Sequence, residues 1–221
     1  MKTFRQSNLI QAWLVITLAL VFGVSLAAIE SRLSPVIKAN KTRETMDRIP
    51  ALTRGAVQNK GQTDQDLGKI SITSRIIAVE KNKATKFYMV YDVATANGDI
   101  VGHVAKASGK GYADQIEILV GFDNRGKTIS GLFVLAQKET PGLGNKIMDA
   151  QWLKQFVGKS TDAPLAVVRA AAGSYEIDGI SGATISSRSV AQIVNSMVSD
   201  IRESLVLPEQ TKQKSTREEL L

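Results

Sequence analysis

The spacing of hydrophobic positions changes character along the chain. Ala12 to Ile29 is uncharged and mostly apolar, extended upstream by Leu9 and Ile10, with Lys2 and Arg5 ahead of it and Glu30 and Arg32 behind. That length is near the lower limit for a membrane-crossing helix. The run exceeds a typical signal-peptide core and continues past the small-x-small site Ser25-Leu26-Ala27, so it predicts a retained single-span anchor rather than a cleaved leader. Lys2 and Arg5 favour a cytoplasmic N-terminus, against a weak opposing bias from Arg32, Lys38, Lys41 and Arg43. A looser helical spacing (Val36, Ile37, Met46, Ile49) predicts a further helix from Ser34 to about Leu52, with Pro35 in its first turn. Gly55 to Gly68, polar and containing Asn59-Lys60-Gly61, predicts a loop.

β-Branched residues then take over. Ile70, Ile72, Ile76, Ile77 and Val79 mark a strand. Lys86 to Thr95 and Ile100 to Ala107 flank Asn97-Gly98, which predicts a hairpin with both residues central in a type I′ turn. Gln115 to Phe122 and Thr128 to Ala136 flank Asp123-Asn124-Arg125-Gly126 and predict a second hairpin. Ile147, Trp152, Leu153, Phe156 and Val157 predict a short amphipathic helix ending near Gly158, with Trp152 and Phe156 as core side chains. Leu165 to Val168 reads as one more strand. Val190, Ile193, Val194, Met197, Val198, Ile201 and Leu205 then return to the spacing of one helix face. These elements predict an α+β fold, a mainly antiparallel sheet with flanking helices, preceded by one N-terminal transmembrane helix. The expected divisions are 1–33 for the anchor segment, 34–207 for a folded domain and 208–221 for a polar tail.

Composition narrows the chemistry. The 221 residues include no cysteine and one histidine, His103, too few ligands for iron–sulfur, c-type haem or ordinary zinc sites within this chain. His103 is expected as a sheet-surface or packing residue. The net charge of +7 raises nucleic acid as a partner, but the cations are interleaved with acids and only 5% of residues are aromatic, which argues against it.

Two stretches carry candidate chemistry. In Asp178-Gly179-Ile180-Ser181-Gly182-Ala183-Thr184, small residues permit close backbone approach, and Thr184 falls at or just before a helix N-terminus, a favourable place for a phosphate, with Arg188 nearby. Alone this is an ordinary helix-cap region. A serine-hydrolase elbow is a poor fit, because Ala183 replaces the second glycine and no convincing strand precedes it. The other stretch is Glu139-Thr140-Pro141-Gly142-Leu143-Gly144, by itself a loop whose proline and glycines turn the chain.

Taken together, DGISGATIS and ETPGLG resemble the paired motifs of the FMN-binding domains found in the G subunit of Rnf electron-transport complexes and in the C subunit of the sodium-pumping quinone reductase. The overall length and single apolar segment are more similar to the Rnf protein. The resemblance implies FMN joined to Thr184 by a phosphoester. It also implies Asp178, Ser181, Gly182, Ala183 and Thr184 as the sequence read by a flavin transferase that uses FAD and Mg²⁺. Glu139, Thr140, Gly142, Leu143 and Gly144 would lie beside the flavin with Ser181, Gly182 and Ala183, Glu139 either touching it or capping the loop. Where relatives carry a Gly-Tyr-Gly-Gly-Pro-like stretch, this chain has Gly109-Lys110-Gly111-Tyr112-Ala113-Asp114. The implied role is an electron carrier without catalytic side chains, since the flavin supplies the redox chemistry. It would serve a membrane complex that couples ferredoxin and NAD chemistry to ion movement, on the outer side of a bacterial inner membrane. The alternatives are the quinone reductase protein, another flavin carrier, or a flavin-free anchored binding module.

Overall fold

The structure is a computed structural model that describes residues 3–58, 70–81 and 84–205. The loop expected from Asn59 to Gly68 and the tail 208–221 fall outside the described residues. Helix α1 (Thr3–Gln58) is continuous, and the chain forms two compact units, Met1–Met46 and Asp47–Leu221. The sequence-based helix from Ser34 is therefore not a separate element, and Gly55 is helical. Pro35 removes one backbone donor, a local loss that the helix-compatible residues on both sides outweigh. The division between the compact units falls after Met46.

In the first unit α1 is long and apolar enough to cross a membrane, and Trp13, Phe22 and Leu26 are exposed on it. The Thr17 hydroxyl donates to the Trp13 carbonyl at 2.8 Å, so this polar group is satisfied within the helix, as a lipid environment requires.

The second unit is built on a five-stranded sheet in the order β1 (Ser71–Lys81), β2 (Ala84–Ala94), β3 (Ile100–Lys110), β4 (Gln115–Asp123) and β5 (Ile129–Ala136), each neighbouring pair antiparallel. The expected strands all form. The first hairpin turn differs from the type I′ expectation: the Gly98 N–H bonds the Thr95 carbonyl at 3.0 Å, so Ala96 and Asn97 are the central residues. Gly98 (φ 88°) follows in the left-handed region, and the ladder shifts at Val93/Ala94. A turn followed by a left-handed glycine with a bulge makes the same reversal as a two-residue loop. Asp123 to Gly126 repeats the device, with Gly126 at φ 64° and the Asp123 carboxylate accepting from the Lys127 and Thr128 N–H groups.

After β5 the chain makes a 3₁₀ turn (Gly144–Met148), a one-turn helix α2 (Ala150–Leu153) and another 3₁₀ turn (Lys154–Phe156). The single amphipathic helix expected here is thus three pieces. Trp152 and Phe156 are buried edge-to-face, 5.2 Å between centroids, in agreement with a core role. β6 (Ala166–Val168) pairs in parallel with β7 (Glu176–Asp178), a strand too short to show in the hydrophobic pattern. Helix α3 (Thr184–Leu205) closes the domain. Its apolar face, including Val190, Val194, Met197 and Ile201, packs on Val90, Ala105, Ile118 and Phe122 from one side of the sheet. The side-chain alternation of strands leaves the other face for a different partner, and there Leu52 from the end of α1 lies against Gly121 and Gly131. The Ser130 hydroxyl donates to the Leu52 carbonyl at 2.7 Å, and the Arg48 guanidinium lies 4.4 Å from the Phe133 ring centroid.

His103 is buried at 1% exposure, with Nδ1 2.5 Å from Asp92, whose carboxylate also accepts from Arg75 at 2.8 Å. Arg75 in turn donates to the Ser204 carbonyl, which fastens the C-terminal end of α3 to the sheet. His103 is therefore a packing residue in a polar tie.

A β-carbon on Gly131 would lie 2.8 Å from Leu52 Cδ2 and 3.1 Å from Leu52 Cα. Gly131→Val should therefore lift the end of α1 from the sheet and cost about 1–3 kcal/mol, the usual range for overpacking. Urea unfolding of the full chain in detergent, followed by near-ultraviolet circular dichroism, checks this.

Candidate functional site

The two sequence stretches meet at the N-terminus of α3, together with a third that the sequence did not single out for this role. Each of the first two forms the same kind of turn. In the ETPGLG stretch the Leu143 N–H bonds the Thr140 carbonyl at 3.2 Å, with Pro141 and then Gly142 (φ 77°) between them. In the SGAT stretch the Ala183 N–H bonds the Ile180 carbonyl at 2.9 Å, with Ser181 and then Gly182 (φ 79°) between. Positive φ at the third residue is the type II arrangement, which glycine adopts without strain. The turns touch, since a β-carbon on Gly182 would sit 3.1 Å from Leu143 Cδ2.

Thr184 is the first residue of α3 and is exposed, and its hydroxyl has no hydrogen-bond partner among the described residues. It does not cap the helix. Ser187, fully buried one turn on, does the local stitching instead, accepting from the Ile180 N–H and donating to the Ala183 carbonyl, both at 3.0 Å. The start of a 22-residue helix carries free N–H groups and the positive end of its dipole, so the Thr184 oxygen stands where a phosphate is favoured. Arg188, one turn further, is exposed on the same side of α3.

Glu139 holds the three stretches together. It is buried, at 4% exposure, and its carboxylate accepts from the Tyr112 N–H at 3.2 Å, the Ala113 N–H at 3.0 Å and the Ser186 hydroxyl. Burial pushes its pKa up, but the Ser186 hydroxyl and the N–H groups of Ala113, Tyr112 and Asp114 outweigh that and hold it below the ordinary value of 4.5. It is a carboxylate at neutral pH. Gly111 and Gly144 leave room for it: a side chain on Gly111 would meet the Glu139 carboxylate, and a β-carbon on Gly144 would be 2.8 Å from both Glu139 Cβ and Ser186 Oγ. Of the two roles expected for Glu139, the structure shows the loop-fastening one.

Asp178 is engaged with other segments and makes no hydrogen bond to the Thr184 hydroxyl. Its carboxylate accepts from the Ala171 N–H at 2.6 Å, its N–H donates to Gln155 Oε1, and its carbonyl accepts from Trp152 Nε1 at 2.8 Å. These bonds set the approach of the chain to the SGAT turn. Ser181 and Gly182 are exposed, whereas Ala183 is buried; Thr140, Gly142 and Leu143 are exposed, whereas Gly144 is buried. Beside them, Tyr112 (63%), Leu143 (45%) and Ile185 (55%) present large apolar side chains to the surface. Asn145 has its side-chain oxygen buried without a hydrogen-bond partner.

The residues that sequence reasoning passed over are Ser186, Ser187, Asn145 and the Tyr112 and Ala113 backbone. Ser186 closes the DGISGATIS motif and Ser187 follows it, but neither was given a role. The Glu139–Ser186 pairing spans 47 positions and leaves no local trace.

The family of FMN-binding domains matches residues 111–199, which contain this whole site. The G subunit of the proton-translocating ferredoxin:NAD(+) oxidoreductase complex of Clostridium ljungdahlii is 31% identical over 138 residues, covering 60% of this chain and 74% of that protein. The chain belongs to this family of G subunits. The corresponding protein of the Na(+)-translocating ferredoxin:NAD(+) oxidoreductase complex of Acetobacterium woodii is 39% identical over 106 residues, 47% of this chain, and the match spans only 50% of that relative's length. The fold is that of the C subunit of the Na(+)-translocating NADH-quinone reductase from Parabacteroides distasonis, with a TM-score of 0.57 at 21% identity over 77% of this chain and 96% of that one.

Because the folded pKa of Glu139 lies below its unfolded value, the unfolded chain takes up the proton first as the pH falls. The contribution of Glu139 to stability is complete above about pH 5.5 and is lost as the pH drops from about 4.5 through the lower folded value. Glu139→Gln should lose about 1–3 kcal/mol at neutral pH, the cost of leaving buried donors without a charged acceptor. It should also show a shallower decline in acid. Urea midpoints of both proteins measured from pH 3 to 7 check this.

Proposed function

We propose that this chain is a membrane-anchored electron carrier, the FMN-bearing G subunit of an Rnf-type complex that couples ferredoxin and NAD chemistry to ion translocation. The observation that carries this is the convergence of ETPGLG and SGAT on one exposed, unpartnered Thr184 hydroxyl at the start of α3. Support comes from the names of the relatives that share the family, ferredoxin:NAD(+) oxidoreductase subunits from bacteria.

The residues fit FMN. Thr184 Oγ1 is free to form the phosphoester, the helix start and Arg188 suit the phosphate, and Leu143, Tyr112 and Ile185 offer apolar surface for a flat ring. The buried, unsatisfied Asn145 oxygen is an acceptor of the kind that a flavin N–H matches. When bound, the flavin supplies one- and two-electron redox chemistry. This chain supplies the attachment oxygen, the positive helix end, and the Glu139-fastened turns that fix the site. The linkage is made by a separate transferase with its own Mg²⁺, which uses FAD and reads the exposed Ser181, Gly182 and Thr184 on the chain direction set by Asp178 and Ala183. α1 anchors the domain outside the cytoplasm in a bacterial inner membrane. A covalent flavin has a physical rationale there, because a dissociated cofactor could not be replaced. The ion-translocating oxidoreductase activity belongs to the assembled complex.

A second reading, the C subunit of the quinone reductase, has support from 31% identity to that component of the Na(+)-translocating NADH-quinone reductase of Vibrio vulnificus, but over only 45% of the relative's length. Partner proteins recovered with the chain from membranes separate the two.

Made together with an active flavin transferase, the chain should keep yellow colour and ultraviolet-excited fluorescence through denaturing electrophoresis, and Thr184→Ala should lose both. Since the Thr184 hydroxyl makes no hydrogen bond in the structure, the same variant should unfold within about 0.5 kcal/mol of the parent, as an ordinary surface change does. Ser181→Ala should slow flavin attachment without abolishing it. Mass spectrometry locating the flavin on a residue other than Thr184 would sink the proposal.

A further inference from the structure

The β2–β3 ladder ends at Met89↔Lys106, yet neither strand ends there. β2 continues back to Ala84 in register with β1, and β3 runs on to Lys110 in register with β4. The sheet is thus split between residues 84–88 and 107–110, and the facing flanks of these two inner strands belong to no ladder. Edges of this kind are templates for another strand.

The split opens a cavity of about 620 Å³ floored by the middle of α3. Lys86, Lys106 and Lys110 line it, and no carboxylate does. The lysines are incompletely neutralised. Lys86 is 3.5 Å from Asp200, a carboxylate already engaged by Lys81 at 3.0 Å and by the Tyr88 hydroxyl at 2.7 Å. Lys106 has Glu117 at 3.2 Å, and Lys110 is exposed without an ion pair among the described residues. Next to the cations, Phe87 is 71% exposed and Met89 40%, and Ile76, directly opposite Met89 on β1, is 65% exposed. Exposed apolar side chains grouped on one surface mark a site of interaction.

We propose that this cleft docks an extended acidic segment of a partner protein, with carboxylates on the three lysines and an apolar side chain against Phe87. An extended chain fits because the free flanks of β2 and β3 offer main-chain hydrogen bonds, the basis of strand addition. Lipid headgroups satisfy the charges but bring no regular row of donors and acceptors. β3 leads from Lys110 straight into the Gly111 to Ala113 turn that holds Glu139, so the docked segment lies beside the Thr184 site. The proposal does not rest on the flavin assignment.

The test treats membranes containing the full chain with a water-soluble carbodiimide, which condenses a lysine amine with a carboxylate to an amide while the reagent takes up the lost water as its urea. Peptide mapping should find Lys106 and Lys110 joined to Asp or Glu residues of one stretch of another chain. Lys86→Glu, which leaves the Lys106 and Lys110 amines in place, should reduce that product severalfold, Phe87→Ser should do the same, and so should raising the salt for the parent. Retained urea midpoints show that the variants fold, and in-gel flavin fluorescence of the same samples reports the Thr184 site separately. The proposal is overturned if Lys106 and Lys110 cross-link no more than Lys127 and Lys159, or if the product survives charge reversal. It is also overturned if the only charge-sensitive binding is to phosphatidylglycerol vesicles, which would assign the cleft to lipid.

Discussion

The site depends on one buried carboxylate. Removing Glu139 from water is costly, and no cation among the described residues is paired with it; two backbone N–H groups and the Ser186 hydroxyl compensate instead. Hydrogen bonds to a charged acceptor contribute about 1.5–3 kcal/mol each. A few of them outweigh the burial, which is why the pKa moves down rather than up. The donors come from the β3–β4 turn and from α3, while the acceptor comes from the segment after β5. One side chain therefore sets the mutual position of three segments far apart in sequence. Because the donors are fixed backbone and a buried hydroxyl, the arrangement is rigid, and rigidity is what a site that positions a cofactor needs.

This constraint explains several residue choices that are otherwise unconnected. Gly111 and Gly144 are small because the Glu139 carboxylate occupies the space that their side chains would fill. Ser186 and Ser187 are buried hydroxyls near the start of a helix, a place where such residues more often cap from outside. Here they point back into the fold, one to Glu139 and the other to the SGAT turn. That division of labour leaves Thr184 with no structural duty. The proposed attachment at Thr184 is compatible with this, since modifying that hydroxyl removes no bond on which the fold relies.

Much of this could be read from the sequence, and the limits have physical causes. The strands were legible from β-branched runs bounded by turn residues, and α3 because period 3.6 is written into residues such as Val190 and Met197. The continuity of α1 through Pro35 was not legible, because a proline marks a break by its own chemistry while the flanking turns decide whether the helix survives. β7 is three residues long, too short for any period. In the site, Thr184 and both glycine turns were legible from local motifs. The Glu139–Ser186 bond was not, since it joins positions 47 apart and depends on how the sheet and α3 come together. The motifs brought Glu139 forward as a loop-capping or flavin-contacting residue, but its Ser186 partner and the tie between three segments were not legible.

The same helix that begins at Thr184 also supplies much of the core, and this ties the precision of the site to global stability. Val190, Val194, Met197 and Ile201 are almost completely buried on the sheet, and the far end of α3 is held through the Ser204 carbonyl by Arg75, itself paired with Asp92 beside His103. Movement of Thr184 relative to the ETPGLG turn would require α3 to slide across a close-packed face, which costs contacts along its whole length. Local loosening is thus confined to the exposed turn residues Ser181, Gly182 and Gly142, which carry little packing. These are also the positions that another protein can reach. The fold in this way separates an accessible surface around Thr184 from the close-packed framework beneath it.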